Sequence, residues 1–260
     1  MDLQLSGRKA IVCASSQGLG LACARALARE GAQVWINGRD AQKLELARST
    51  LLGEMPAAAV CAVAADILGE RGREALIAAC PEPDILINNN AGPAPGRLED
   101  WTRAAWLEAL EANMIAPLML IRAVIPGMRL RRFGRIVNVT SAMVKSPRYS
   151  MTLSTAARTG LTAACKAISR EIAADNVTIN NLLPERIDTP RQVFMTERMM
   201  KEQSITRESA RAQIAASIAA KRFGTPEEFG AACAFLCGAQ SGFISGQNLQ
   251  LDGGSYPGLV

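Results

Sequence analysis

The stretch Lys9–Glu30, KAIVCASSQGLGLACARALARE, predicts a strand, a tight turn and a helix in succession. The apolar run Lys9–Cys13 is typical of a short buried strand, and Leu21–Glu30 has the composition of a helix. Between them, Ala14–Gly20 forms a turn of small residues. Such a turn lets backbone amides approach a phosphate group at the positive end of the helix. The stretch therefore predicts the start of a nucleotide-binding α/β fold.

The same alternation continues along the rest of the chain. Further strands are predicted at Gln33–Ile36, Ala57–Ala64, Asp84–Ile87, Arg135–Val139, Val177–Leu182 and Asn248–Leu251. Helices are predicted at Ala41–Leu52, Arg71–Cys80, Thr102–Met128, Ser150–Ala173 and Pro226–Cys237. Strands that alternate with helices indicate βαβ units and a mostly parallel sheet. Because no linker or repeat divides residues 1–260, we expect one Rossmann-type, doubly wound α/β domain of about seven strands, with helices on both faces.

Composition excludes several classes of function. The 260 residues contain no histidine, which removes histidine bases, Ser-His triads and most zinc sites, so no metal is expected. The seven cysteines lack a CxxC pattern and indicate small buried side chains in a reducing compartment. The net charge of +5 is scattered and aromatic residues are 4%, which argues against nucleic acid. Without a signal-like start or an apolar run of membrane length, we expect a cytoplasmic protein with no membrane partner.

The glycine-rich turn and the strand ends point to the cofactor. Gly18 and Gly20 fit the last two glycines of a G-x-x-x-G-x-G turn, and Ala14 replaces the first. The second strand ends in Asn37-Gly38-Arg39, with no acid that would repel a 2′-phosphate. Arg39 suits such a phosphate and favours NADP over NAD, although a plain surface arginine is the alternative. The cofactor-binding residues expected here are Ala14, Ser16, Gln17, Gly18, Leu19, Gly20, Asn37, Arg39, Asp66 and Ile67.

Taken together, these residues resemble the short-chain dehydrogenase/reductase family, most closely its 3-oxoacyl-acyl-carrier-protein reductases. The matching pieces cover nearly the whole chain: ASSQGLG, Asp66, DILINNNAG, Asn113, GRIVNVTS, VTINNLLPERIDTP and KRFGTPEEFGAACAFLCGAQSGFISGQNLQLDGG. The resemblance implies a small carbonyl or acyl substrate. It also implies a homotetramer, built through the helices Thr102–Met128 and Ser150–Ala173 and through the last strand.

The resemblance also assigns roles to single residues. Asn113 is similar to the family's catalytic asparagine, and Ser141 to the serine that bonds the substrate oxygen. Either Asn89 or Asn90 begins the family's NNAG motif with Ala91, because a third asparagine leaves the register open by one residue. Contacts to the nicotinamide carboxamide are expected from Pro184, Ile187 and Thr189. Glu185 stands where the family has glycine, and it either shapes the substrate pocket or faces solvent.

The chain departs from the family at the catalytic pair. Family members carry Tyr-x-x-x-Lys thirteen residues after the serine, whereas this chain has Ser154 and Arg158 at those positions. A serine hydroxyl is a far weaker acid than a phenol, and arginine keeps a fixed charge that can bind ribose hydroxyls but passes no proton. Loss of a positioned acid costs about 10²–10⁴ in rate. Tyr149 is either a substitute proton donor or a loop or interface aromatic.

Three functions remain open from the sequence. The first is an NADP-dependent oxidoreductase of a carbonyl or secondary alcohol, with Asn113, Ser141, Ser154 and Arg158 at the reaction centre. The second is non-redox carbonyl chemistry, such as enolisation or carbon–carbon cleavage, on the same site. The third is a cofactor-binding subunit without activity. In each case the polar segment of about residues 190–222 is expected to cover the substrate.

Overall fold

A computed structural model describes residues 2–259 and contains one seven-stranded sheet in the order β3-β2-β1-β4-β5-β6-β7, with every pair parallel. The strands are β1 (Lys9–Val12), β2 (Gln33–Gly38), β3 (Val60–Ala64), β4 (Ile85–Asn88), β5 (Gly134–Val139), β6 (Val177–Pro184) and β7 (Asn248–Leu251). The helices are α1 (Gly18–Arg29), α2 (Ala41–Glu54), α3 (Glu70–Ala79), α4 (Arg103–Leu110), α5 (Ala116–Leu130), α6 (Thr152–Ile172), α7 (Pro190–Gln203), α8 (Arg207–Ser217) and α9 (Pro226–Cys237). The predicted single-domain, doubly wound fold is confirmed.

Helices cover both faces of the sheet because successive strand residues point to opposite sides. On one face, Ala10 and Val12 of β1 pack in a core with residues of α1, α2 and α9. On the other face, Ile11 packs with residues of α3, α5 and α6. The strand order reverses between β1 and β4, so a crevice lies at the carboxyl ends of these strands, where open α/β sheets bind ligands.

Most predicted elements are found with bounds that differ by no more than two residues, and three differences are larger. Helix α1 begins at Gly18 rather than at Leu21, because the last residues of the glycine-rich turn already form its first turn. Strand β3 begins at Val60 rather than at Ala57, since Ala58 N donates to Met55 O in a turn (2.9 Å). The predicted cover is two helices, α7 and α8, separated at Ser204, whose φ is +53°.

The long helix predicted at Thr102–Met128 is continuous from Arg103 to Leu130 but contains a π-helical turn at Glu111–Ile115. This helix is also long and apolar enough to cross a membrane, with a mean hydropathy of 1.4 in its most apolar window. Core helices of soluble proteins have the same property, and Leu120, Ile121 and Val124 are buried against the sheet here. Its role in this fold is therefore to pack against the sheet and to place the π turn beside the crevice.

Candidate active site

The glycine-rich turn has the backbone geometry of a phosphate cradle. Gly18 has a φ of +60°, in the left-handed region that favours glycine. A Cβ on Gly20 would lie 2.4 Å from Ala14 O, so only glycine allows α1 to approach the turn this closely. The side chain of Gln17, the N-cap of α1, makes no capping hydrogen bond. The first amides of α1 therefore remain available to an anion.

Ala14 occupies a position that is unfavourable for alanine. Its φ is +44°, and the surroundings hold it there, since Asn89 Nδ2 donates to Ala14 O (3.1 Å). The side chain of Asn90 instead donates to Ala112 O (3.2 Å), within the π turn. The two asparagines therefore connect the strand end to different sides of the crevice, with Asn89 supporting the glycine-rich turn.

Asn37 supports the same turn from below. Its side chain is buried and donates to Val63 O (3.1 Å) and Ala65 O (3.0 Å), and its backbone exchanges hydrogen bonds with Ser15. These bonds fix the spacing between the turn and the ends of β2 and β3. Because its polar groups are engaged inside the protein, a direct contact of Asn37 with a cofactor stays a prediction.

The end of β2 carries the group expected to bind a 2′-phosphate. Arg39 is exposed and has no hydrogen-bond or ion-pair partner among residues 2–259. Ser16 lies beside the preceding residue, Gly38, with its Oγ 3.6 Å from the Cβ position of that glycine. The neighbouring acid, Asp40, caps α2 by accepting from Gln42 N and Lys43 N, and these bonds lower the pKa of its carboxyl. Asp40 is therefore engaged with α2, and the guanidinium of Arg39 is the available charge at this edge.

Asp66 and Ile67 follow β3 on the adenine side predicted from the sequence. Asp66 is exposed and its Oδ1 accepts from Leu68 N (3.1 Å). Arg73 Nη1 donates to Ile67 O (2.9 Å) and Leu68 O (2.7 Å), which holds the segment in place. Residues of the other half of the crevice lie at the end of β6, where Ile187 pairs with Gly224 and Thr189 is the N-cap of α7. Pro184 ends β6.

Arg158 and Ser154 lie together at the carboxyl end of β5. Arg158 Nε donates to Ser154 Oγ (3.2 Å), and its Nη1 donates to Val139 O (2.7 Å), the last carbonyl of the strand. Its Nη2 reaches Asn90 O (3.4 Å). Gly92 packs over the pair, since a Cβ there would lie 3.3 Å from Arg158 Nη2. One guanidinium therefore joins α6, β5 and the segment after β4.

Burial changes the acidity of Arg158. The residue is 7% exposed, and desolvation together with the charge of Arg191 lowers the pKa of its guanidinium to about 10. It therefore remains a cation at neutral pH. Its hydrogen bond leaves Ser154 Oγ as an acceptor toward Arg158, so the serine's own proton is free to be donated.

Ser141 and Asn113 flank this pair. Ser141 follows β5, and its Oγ accepts from Met143 N (3.2 Å), which also leaves its proton for another acceptor. Asn113 lies in the π turn, a feature that is frequent at functional sites. Its Nδ2 donates to Ala109 O (3.4 Å), but its buried Oδ1 has no partner among residues 2–259. An unpaired buried oxygen of this kind is suited to a bound water.

The structure does not direct Tyr149 into the crevice. Its side chain is 59% exposed, and its hydroxyl donates to Glu99 Oε2 (3.2 Å) and accepts from Leu98 N (3.3 Å). Its geometry is that of a loop-bracing aromatic. Glu185 is largely covered and accepts from Arg148 Nη2 (2.6 Å), so it ties the loop after Ser141 to the end of β6 rather than facing solvent alone.

Sequence reasoning missed an asparagine ladder beneath the site. Asn88 Nδ2 donates to Asn138 Oδ1, Asn138 Nδ2 to Asn181 Oδ1, and Asn181 Nδ2 to Asn248 Oδ1, each at 2.9 Å. The four residues are in register across β4, β5, β6 and β7. Asn88 and Asn138 lie near the carboxyl ends of β4 and β5, Asn181 lies in the middle of β6, and Asn248 begins β7. An asparagine in or directly after each predicted strand is the signal that was available. Because buried amides are costly unless paired, the ladder fixes the register of the strands that carry the site.

Comparison with known proteins agrees with this geometry. A family model described as Enoyl-(Acyl carrier protein) reductase matches residues 13–256. The chain is 32% identical to the NADPH-dependent reductase BacG of Bacillus subtilis, over 98% of this chain and 100% of that one. It is 34% identical to Dehydrogenase/reductase SDR family member 4 of Bos taurus, over 98% and 89% of the two chains. L-sorbose reductase of Gluconobacter frateurii, solved with NADPH and L-sorbose, superimposes with a TM-score of 0.93 at 27% identity and full coverage of both chains.

The fold and the crevice define a dinucleotide-binding protein of the oxidoreductase class. The chain belongs to the short-chain dehydrogenase/reductase family. Relatives that use NADPH confirm the cofactor type predicted from Arg39 and the glycine-rich turn.

Proposed function

We propose that this protein is an NADPH-dependent reductase of a small carbonyl substrate, with Ser154 and Arg158 in place of the usual tyrosine and lysine. The hydrogen-bonded pair of Arg158 and Ser154 at the end of β5 carries the proposal. It places two side chains capable of polarising a carbonyl in the crevice where this fold binds dinucleotides. The same residues would serve oxidation of the corresponding alcohol in the reverse direction.

The residues present fit NADPH. The free amides of α1 and the cradle at Gly18 and Gly20 suit its diphosphate, and the unpaired Arg39 with Ser16 suits its 2′-phosphate. Thr189 and Ile187 border the opposite wall, where we place the nicotinamide. Bound there, NADPH supplies the hydride for the reduction.

The protein's own residues stabilise the charge that develops on the substrate oxygen. Ser141 and Ser154 each accept a hydrogen bond from the protein, so both hydroxyl protons can be donated to that oxygen. Arg158 adds a fixed positive charge in a water-poor setting, where electrostatic stabilisation is strongest. A water bound to Oδ1 of Asn113, which has no partner among residues 2–259, would relay a proton from bulk solvent to the oxygen, so that the alcohol is neutral and no hydroxide is left behind. Relative to the family pattern, the Ser154 hydroxyl, a weaker donor, replaces the phenol and the Arg158 guanidinium replaces the ammonium, while Ser141 is retained.

The proposal is tested by NADPH binding and NADPH oxidation with a panel of ketones. We expect oxidation at rates about 10²–10⁴ below those of an efficient reductase, and we expect Ser154→Tyr with Arg158→Lys to raise them. Ser154→Ala should lower turnover, whereas Thr155→Ala should not, because the Thr155 hydroxyl bonds Met151 O within its own helix. Tight NADPH binding without oxidation by any ketone would contradict reductase activity.

We further propose a cytoplasmic homotetramer. Exposed apolar side chains on α4 and near the C-terminal strand support it, among them Leu107, Phe243 and Leu249. Strand β7 is also an edge of the sheet, so its outer side has no neighbouring strand among residues 2–259. Light scattering on the purified protein should give four times the chain mass of 27.7 kDa, and a monomer mass would refute the assembly.

A further inference from the structure

Three arginines bind the segment that follows β4. Arg158 Nη2 donates to Asn90 O (3.4 Å), and Arg191 Nη2 donates to Pro93 O (2.9 Å). Arg198 Nη1 donates to Pro95 O (3.1 Å). Arg158 comes from α6 below the crevice, whereas Arg191 and Arg198 come from α7, the cover. The guanidinium groups of Arg158 and Arg191 thus approach one short stretch of backbone from two sides.

The charges in this cluster are not balanced. Arg198 forms an ion pair with Glu202, but neither Arg158 nor Arg191 has an acidic partner anywhere in residues 2–259. The partners of Arg191 are a carbonyl and the ring of Phe194, 5.3 Å from its guanidinium. Arg158 is buried, whereas Arg191 is exposed. Desolvation is nevertheless the largest cause that lowers the pKa of each guanidinium, and the charge of Arg191 further lowers the pKa of Arg158. An anion between them would offset their mutual repulsion and the desolvation of the buried Arg158.

A second unsatisfied group lies on the first turn of α7. Gln192, next to Arg191, is 5% exposed, and its amide Nε2 is buried without a hydrogen-bond partner among the described residues. Buried amide donors are seldom left unpaired in a folded protein. The start of α7 therefore combines an unpaired cation with an unpaired donor, and both are groups that bind a carboxylate oxygen.

We propose that the substrate is an oxo acid whose carboxylate binds between the guanidinium groups of Arg158 and Arg191, beside the hydroxyls of Ser141 and Ser154. This inference rests on the proposed reductase function, because it places the reacting carbonyl at the serines. Arg158 donates to Ser154, beside which we place the reacting carbonyl, and also to the segment after β4, to which Arg191 donates as well. In the substrate, the carboxylate held by the two arginines is therefore only a few covalent bonds away from the carbonyl. The substrate class is thus a 2-oxo or 3-oxo acid of modest size.

The cofactor diphosphate is the competing anion. Pro190 Cδ lies 3.9 Å from the Cβ position of Gly18, so Arg191 is near the phosphate cradle. The diphosphate already has the α1 amides, however, and Arg158 is bonded to the end of β5 and to Ser154. A substrate carboxylate beside Ser154 can bond both guanidinium groups through its two oxygens, and its single charge offsets one of the two positive charges. If a substrate carboxylate binds between the arginines, a variant of Arg191 should lose the preference for the acid. If the diphosphate binds there, the variant should instead lose affinity for NADPH.

The test uses calorimetry to measure how tightly small oxo acids and their esters bind to the complex of the protein with NADP⁺. This measurement requires no turnover. The probes are 2-oxohexanoate, 3-oxohexanoate and the methyl ester of each. We expect at least one acid to bind the native protein about tenfold or more tightly than its ester, since a charge-assisted bond contributes that much. Arg191→Gln should abolish this preference and leave the NADPH dissociation constant within about twofold, because it removes one substrate contact only.

Arg198→Gln is the matched control, because Arg198 grips the same segment but already has an acidic partner. It should retain the preference for the acid. Equal binding of acids and esters by the native protein would overturn the proposal, as would an Arg191→Gln variant that loses NADPH affinity and keeps the preference. Failure of the reductase function is separate, since it would appear as selective binding of the acid with no NADPH oxidation.

Discussion

Replacing Ala14 by glycine should stabilise the protein. Ala14 has a φ of +44°, a conformation that costs an L-residue about 1–2 kcal/mol and costs glycine almost nothing. Glycine also has more conformational freedom than alanine in the unfolded chain, and this lowers the free energy of unfolding by about 0.4–1 kcal/mol. The difference predicts that Ala14→Gly raises the free energy of unfolding by about 1 kcal/mol. For a chain of 260 residues that corresponds to roughly 2–4 °C in Tm.

Urea unfolding at a fixed protein concentration measures this change, with an unaltered m-value as the sign that only stability has changed. Ala24→Gly is the control, because Ala24 lies inside α1, where glycine costs about 1 kcal/mol. NADPH affinity should stay within about twofold, since the turn is already held by Asn89. An Ala14→Gly variant that is as unstable as Ala24→Gly would refute the claim that the turn is strained at this residue.

Three further outcomes follow from the crevice. Gly20→Ala should weaken NADPH binding at least about 100-fold, because the Cβ of the new alanine would lie 2.4 Å from Ala14 O. Gly53→Ala is the control and should leave binding unchanged, since the space around Gly53 is open. Arg39→Ala should raise the NADPH dissociation constant about 10–100-fold in fluorescence titrations and leave that of NADH unchanged. Turnover should be level at neutral pH and fall as the pH rises through about 10, where Arg158 loses its proton and its charge; a pH–rate profile checks this.

The sequence was sufficient for the fold because strand and helix periodicities alternate clearly. The bounds of Pro226–Cys237 and Asn248–Leu251 agree with α9 and β7. Bounds that depend on hydrogen bonds rather than composition were less accurate. The π turn at Glu111–Ile115, for example, reads from its sequence as ordinary helix, since only the choice of backbone partner distinguishes the two.

Candidate site residues were identified by motif, but their contacts were not. The four-residue spacing of Ser154 and Arg158 predicted a shared helix face, and they are hydrogen-bonded. The bonds of Arg158 to Val139 O and Asn90 O join segments far apart in the chain, so no local pattern contains them. That no acidic side chain among residues 2–259 pairs with Arg191 is likewise a property of three-dimensional packing. Asn37 is the opposite case. Its place at the end of β2 predicts a cofactor contact, but its side chain points into the protein and supports the glycine-rich turn.

The most direct test of the account is a double-mutant cycle on hydride transfer, measured as single-turnover NADPH oxidation by Ser154→Ala, Arg158→Met and the double variant. We expect each single change to lower the rate about 10–10³-fold. Because Arg158 acts partly through Ser154, the double variant should lower the rate by less than the product of the two single effects. NADPH should still bind to all three variants, more weakly where the ribose contact expected of Arg158 is lost, and this residual binding separates lost chemistry from lost folding. Hydride transfer at the native rate in both single variants would contradict the account.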